Sequence, residues 1–108
     1  MMARIESHKD HDKAIETLKR GISLNDKSAK LHLGLGHEYR LTEKFDMAAD
    51  EYKKSSKLGG SEAIDALRCL GDLYYNNLKD PGKAKSFYED YVKQGGTDSS
   101  VKLRLQKM

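Results

Sequence analysis

Leu35-Gly36, Leu70-Gly71 and Leu105-Gln106 recur at a fixed spacing of 35 residues, and the first two pairs are each followed three residues later by a tyrosine, Tyr39 and Tyr74. Ala14, Ala48 and Ala84 form a second series, spaced 34 and 36. Leu18, Tyr52 and Tyr88 form a third with the same spacings, each four residues after its alanine. A period in the mid-thirties predicts stacked helical hairpins, in which a unit buries its apolar face only against its neighbours. Such an architecture favours a scaffold that binds over an enzyme.

With 108 residues the chain is one small domain or a short array. Hydrophobic residues make up 37% and charged residues 34%, so the core must be thin and the surface wet. The apolar residues recur in phase instead of being diluted, which argues against disorder. Net charge is +3. The densest basic stretches, Lys53-Lys54-Ser55-Ser56-Lys57 and Lys102-Leu103-Arg104-Leu105-Gln106-Lys107, read as helix ends where cations complement the carbonyl dipole, and not as a phosphate-binding stripe. Cys69 stands alone, which excludes an internal disulfide and fits a reducing compartment. Residues 1–8 hold no apolar signal core. No apolar run approaches the roughly twenty residues that span a bilayer. A soluble, cytoplasmic chain is expected, unless it is a piece of a larger protein whose signal or anchor lies elsewhere.

The periodicity predicts helices throughout and no strand. Ala14, Ile15, Leu18 and Ile22 mark the first, opened by Asp10 or His11 and closed by Ser23-Leu24-Asn25-Asp26. Ser28 can cap a second helix carrying Leu31, Leu35 and Tyr39, broken at Thr42-Glu43-Lys44. Phe45, Ala48, Ala49 and Tyr52 define a third, ending at Gly59-Gly60, since glycine accepts the left-handed conformation of a helix stop. Ser61 is expected to cap a fourth, with Ala66, Leu67, Leu70, Leu73 and Tyr74 inward and Asn76-Asn77-Leu78-Lys79 as its turn. Asp80-Pro81 is a strong start for a fifth, whose buried face is Ala84, Phe87, Tyr88, Tyr91 and Val92, ending at Gly95-Gly96. A last short helix carries Val101, Leu105 and Met108.

These residues resemble the tetratricopeptide repeat, which places a small residue and a tyrosine on its helix A and an alanine and an aromatic on its helix B. The middle unit matches with Leu35, Gly36, Tyr39, Ala48 and Tyr52, the next with Leu70, Gly71, Tyr74, Ala84 and Tyr88. The resemblance implies an all-α fold, a short right-handed α-solenoid of antiparallel helix hairpins closed by a C-terminal capping helix. It divides one array into a partial first hairpin (1–27), a second repeat (28–62), a third repeat (63–97) and the capping helix (98–108). The first helix A would lie in residues 1–8, with Ile5 in the tyrosine place. Two places depart from the pattern. His32 and Leu67 stand where the family has tryptophan, and Gly60 and Gly96 where it has proline.

In such repeats helix A lines the concave wall, so the resemblance implies a peptide-binding groove. Its inward positions are Lys30, Leu33, Gly34, His37, Arg40 and Leu41 in the second unit, and Asp65, Arg68, Cys69, Asp72, Tyr75 and Asn76 in the third. Arg40 and Arg68 suit bidentate capture of a carboxylate, and Tyr75 and Leu33 an apolar side chain. Some family members clamp a chaperone C-terminal carboxylate with lysines and asparagines. The corresponding places hold Leu33, His37, Arg68 and Asp72, so that pattern is absent.

His8-Lys9-Asp10-His11-Asp12 invites a metal reading but sits at a predicted turn and helix start. Gly34-Leu35-Gly36 begins like a dinucleotide loop, yet lies within a helix and lacks the third glycine. No Ser-His-Asp pattern exists, and neither catalysis, a cofactor nor a metal is expected. The favoured expectation is a protein-interaction scaffold that takes a protein or peptide ligand. The alternatives are an RNA-binding module of the pentatricopeptide type and an accessory domain of a larger protein. An incomplete first hairpin should also expose Ile15 and Leu18, which would permit self-association.

Overall fold

The computed structural model describes the backbone of residues 2–108 and the side chains of residues 10–108. Six helices follow one another: α1 (Met2–Leu24), α2 (Ala29–Leu41), α3 (Phe45–Ser56), α4 (Gly60–Asn76), α5 (Pro81–Lys93) and α6 (Ser99–Lys107). The described residues hold no strand. Each helix packs on the next, and α2 also touches α4, so α2 and α4 form one layer and α3 and α5 the other. The slab measures 42 × 35 × 20 Å. No helix among the described residues is long and apolar enough to cross a membrane.

Local chemistry sets most boundaries. Ser28 Oγ accepts the Leu31 amide at 3.2 Å and caps α2. Asp80 accepts the Lys83 amide at 3.1 Å, with Pro81 at the first position of α5. Asp98 caps α6, accepting the Ser100 amide at 2.9 Å. The start of α4 differs from expectation. Ser61 does not cap it; the cap is Gly59, whose φ of 84° only glycine adopts without strain, and Ser61 Oγ turns to Glu62.

The core is the seam between the two layers. Leu35, Tyr39, Ala48, Tyr52, Leu70, Leu73, Ala84 and Tyr88 belong to one buried cluster, together with Val101 of α6. Leu70 and Leu73 are wholly buried, each worth about 1.5–3 kcal/mol of apolar transfer. The small residues set the layer spacing. A β-carbon at Gly36 would lie 2.6 Å from the Tyr52 ring, and one at Gly71 would run into the ring of Tyr88. This is why the Leu-Gly series and the alanine–aromatic series keep step along the sequence.

The first unit differs from the hairpin the sequence suggests. α1 is a single unbroken helix from Met2 to Leu24, so Asp10 and His11 lie within it and do not open it. The reading of Ile5 in the tyrosine place falls outside the described side chains. Ile15 is 7% exposed, and Leu18 and Ile22 pack against the core, with Leu18 reaching Gly34 of α2. The expectation that Ile15 and Leu18 are exposed is therefore corrected: α2 covers them, and the described outer face of α1 carries Asp12, Lys13, Glu16 and Arg20 instead.

His32 occupies its core place by satisfying both ring nitrogens. Nδ1 meets Glu51 Oε1 at 2.7 Å and Nε2 meets the Asp26 carbonyl at 2.8 Å. His32 and Glu51 are 5% and 9% exposed, a buried polar pair where the repeat pattern has an aromatic.

Candidate functional site

Side chains three and four apart share a helix face, and this brings His37 and Arg40 of α2 opposite Arg68, Cys69, Asp72 and Asn76 of α4. Together they line a hollow of about 270 Å3, completed by buried Leu73 and exposed Asn77. Tyr52 of α3 reaches this wall from behind. Its hydroxyl lies 2.8 Å from His37 Nδ1, and the two rings meet edge to face at 5.4 Å. Burial, above all, pushes the Tyr52 phenol up to about 12, so it keeps its proton. Burial also lowers the pKa of His37, and the guanidinium groups of Arg40 and Arg68 act in the same direction. Both shifts favour the uncharged forms of the two side chains. Burial likewise raises the Cys69 thiol, which favours its protonated form.

Asp72 and Asn76 also border a second hollow of about 180 Å3, closed by Tyr88 of α5 and by Ser100, Val101 and Arg104 of α6. Asp72 organises it. The Tyr88 hydroxyl donates to Asp72 Oδ1, Arg104 donates to the same oxygen at 3.3 Å and to the Tyr88 oxygen at 2.8 Å, and Arg68 lies 3.5 Å from Oδ2. Burial and the hydrogen bond to Asp72 raise the Tyr88 phenol. Arg68 also approaches Asp98 of the α6 cap at 4.0 Å. Ser100 and Arg104 continue into a third hollow of about 320 Å3, shared with Tyr75, Leu103 and Lys107. The Arg104 guanidinium sits 4.5 Å above the Tyr75 ring. The first hollow shares Asp72 and Asn76 with the second, and the second shares Ser100 and Arg104 with the third, so the three run as one trough from α2 across α4 to α6.

Of the residues expected in the groove, His37, Arg40, Arg68, Cys69, Asp72 and Asn76 come together in the first hollow. Tyr75 lies in the third. Lys30 and Asp65 are exposed and line none of the three, although the Asp65 charge still reaches His37. Leu33 packs against the core, and Leu41 is 51% exposed at the end of α2.

The sequence reading misses Tyr52, Tyr88 and Arg104. The two tyrosines read as core, which their rings are, but a buried phenol needs a partner for its hydroxyl, and that requirement points to the concave wall. Arg104 reads as a helix-end cation, whereas it binds back across the trough.

A larger hollow, about 530 Å3, lies elsewhere, where the ends of α3 and α5 meet the start of α4, bordered by Lys57, Gly60, Ile64, Leu67, Asp90 and Gln94. Its residues make no side-chain network comparable to that around Asp72.

No family model and no curated protein matches the chain. Solved structures do. A thermophilic TPR protein of Thermus thermophilus, TTC0263, superposes with a TM-score of 0.75 at 24% identity, covering 90% of this chain and 48% of that one. The chain has the tetratricopeptide-repeat fold. YrrB, described as a TPR protein with an unusual peptide-binding site, matches with a TM-score of 0.74 at 19% identity, covering 95% of this chain and 52% of that one. The chain spans about half the length of these two structures. The six helices form an all-α helical-repeat solenoid.

Proposed function

We propose that this chain is a non-catalytic interaction module whose concave trough holds an extended segment of a partner protein. One observation carries the reading: three adjoining hollows run along the layer of α2 and α4 and end on α6, with a network of polar side chains around Asp72 at their centre. The side chains around Asp72 are held by one another, so a ligand meets a preformed surface and the ordering cost of binding is reduced. YrrB, a neighbour in fold, carries a peptide-binding site, which supports the same use of this surface.

An RNA ligand fits less well. Arg68 and Arg104 are paired with Asp72 and Asp98, so the trough is no open row of cations, and phosphate affinity depends on such charges.

The test is capture of the native partner from the source cell by the wild-type chain and by a variant in which Arg40, Arg68 and Tyr75 are all changed to alanine. The triple variant should lose the partner. Undiminished capture removes the trough as the site, and capture that falls steeply with salt and yields RNA removes the peptide.

A further inference from the structure

Resting on that reading, we infer that the α4–α6 end of the trough selects a partner segment in which an apolar or aromatic side chain stands next to a carboxylate. Tyr75 is 40% exposed and Leu103 is 57% exposed, and they face one hollow of about 320 Å3. Elsewhere in α6 the apolar residues turn to the core: Val101 is buried, and Leu105 and Met108 pack against it. Leu103 is the exception.

The charge of this hollow is one-sided. Arg104 and Lys107 line it and no carboxylate does. Among the described residues, no ion pair engages Lys107. Arg104 is held on the Tyr75 ring and tied to Tyr88 and Asp72, so its position is fixed before any ligand arrives. An apolar side chain laid on Tyr75 and Leu103 therefore has an anion site beside it at Lys107, since Arg104 is already engaged by Asp72 and serves to hold the Tyr75 ring. The neighbouring hollow supplies Asn76, an exposed amide suited to a peptide backbone. A basic segment would instead place its charge against Lys107.

The experiment pans a random peptide phage library against the full chain and measures the recovered peptides by fluorescence anisotropy. Two variants are compared, Leu103→Asp with Lys107→Glu, and Arg40→Glu. All three positions are exposed, and circular dichroism verifies the fold. The recovered sequences should be enriched in an aromatic or aliphatic residue adjacent to Asp or Glu, and the α6 double variant should weaken them at least about tenfold, equivalent to about 1.4 kcal/mol. Recovered peptides that lose affinity with Arg40→Glu but not with the α6 variant would overturn this inference and leave the peptide groove standing. Binding indifferent to both variants, or recovery of no sequence above background, would overturn both.

Discussion

The ring of Tyr52 lies on the bare backbone of Gly36, so that a β-carbon at that glycine would stand 2.6 Å from it. Tyr52 is wholly buried and cannot yield without disturbing the seam. Gly36→Ala is therefore expected to destabilise the chain by about 1–3 kcal/mol through overpacking, and Gly71→Ala, under Tyr88, to do the same. Gly34 is the control. A β-carbon there meets only the tip of Leu18, at 3.3 Å, and alanine gains about 1 kcal/mol of helix propensity over glycine. Urea denaturation should order the three variants with Gly34→Ala the most stable.

The buried pair of His32 and Glu51 gives a second expectation. Removing the imidazole by His32→Ala leaves the Glu51 carboxylate with only Lys54, at 3.3 Å and on the surface side. The loss should be about 1–3 kcal/mol, the cost of leaving a buried group without its hydrogen-bond partner. Glu51→Gln keeps a hydrogen-bonding group opposite Nδ1 and should cost less. The same denaturation curves measure both, and equal losses would contradict the expectation that a hydrogen-bonding group opposite Nδ1 is enough to hold His32 in place.

Proton binding at His37 has a definite sign. Its folded-state pKa lies below the ordinary value of 6.5, so the unfolded chain takes up this proton first as pH falls. The contribution of His37 to stability is therefore fully present above pH 6.5 and declines as pH drops below it, until the folded-state value is passed. A residue-specific NMR titration should find the His37 midpoint below 6.5. A midpoint above it would place the ring in a different environment from the one beside Arg40, Arg68 and Tyr52.

Cys69 is 9% exposed and its thiol is raised by burial. Reaction with a disulfide reagent at neutral pH should be slow in the folded chain and rise to the rate of a free thiol in denaturant. A fast native reaction would show that the first hollow opens to solvent far more than its geometry allows.

How far the sequence can be read follows from which contacts repeat. The Leu-Gly and alanine–aromatic series are legible because each glycine receives an aromatic ring from the following helix, Gly36 from Tyr52 and Gly71 from Tyr88. The caps at Ser28 and Asp80 are legible because each oxygen follows a turn and directly precedes an apolar helical stripe, whereas Ser61 lies inside α4 and gives its hydroxyl to Glu62. His32 is visible as a departure, but its partner Glu51 is 19 residues away with no pattern to announce it. The trough is legible only on α2 and α4, since helical spacing assigns faces within a helix. Arg104 reaches Asp72 across 32 residues of sequence, and no periodicity encodes that. The start of α1 is misplaced in the sequence because Asp10 and His11 look like a cap, although the backbone runs through them.

Ligand binding in the trough from α2 to α6 is the central claim. Amide chemical-shift mapping tests it most directly, with a peptide recovered from the library titrated into isotope-labelled chain. Shifts are expected to cluster at His37, Arg68, Asn76, Tyr75 and Arg104. Shifts clustered instead at Ile64, Asp90 and Gln94, around the larger hollow between the ends of α3 and α5 and the start of α4, would contradict it.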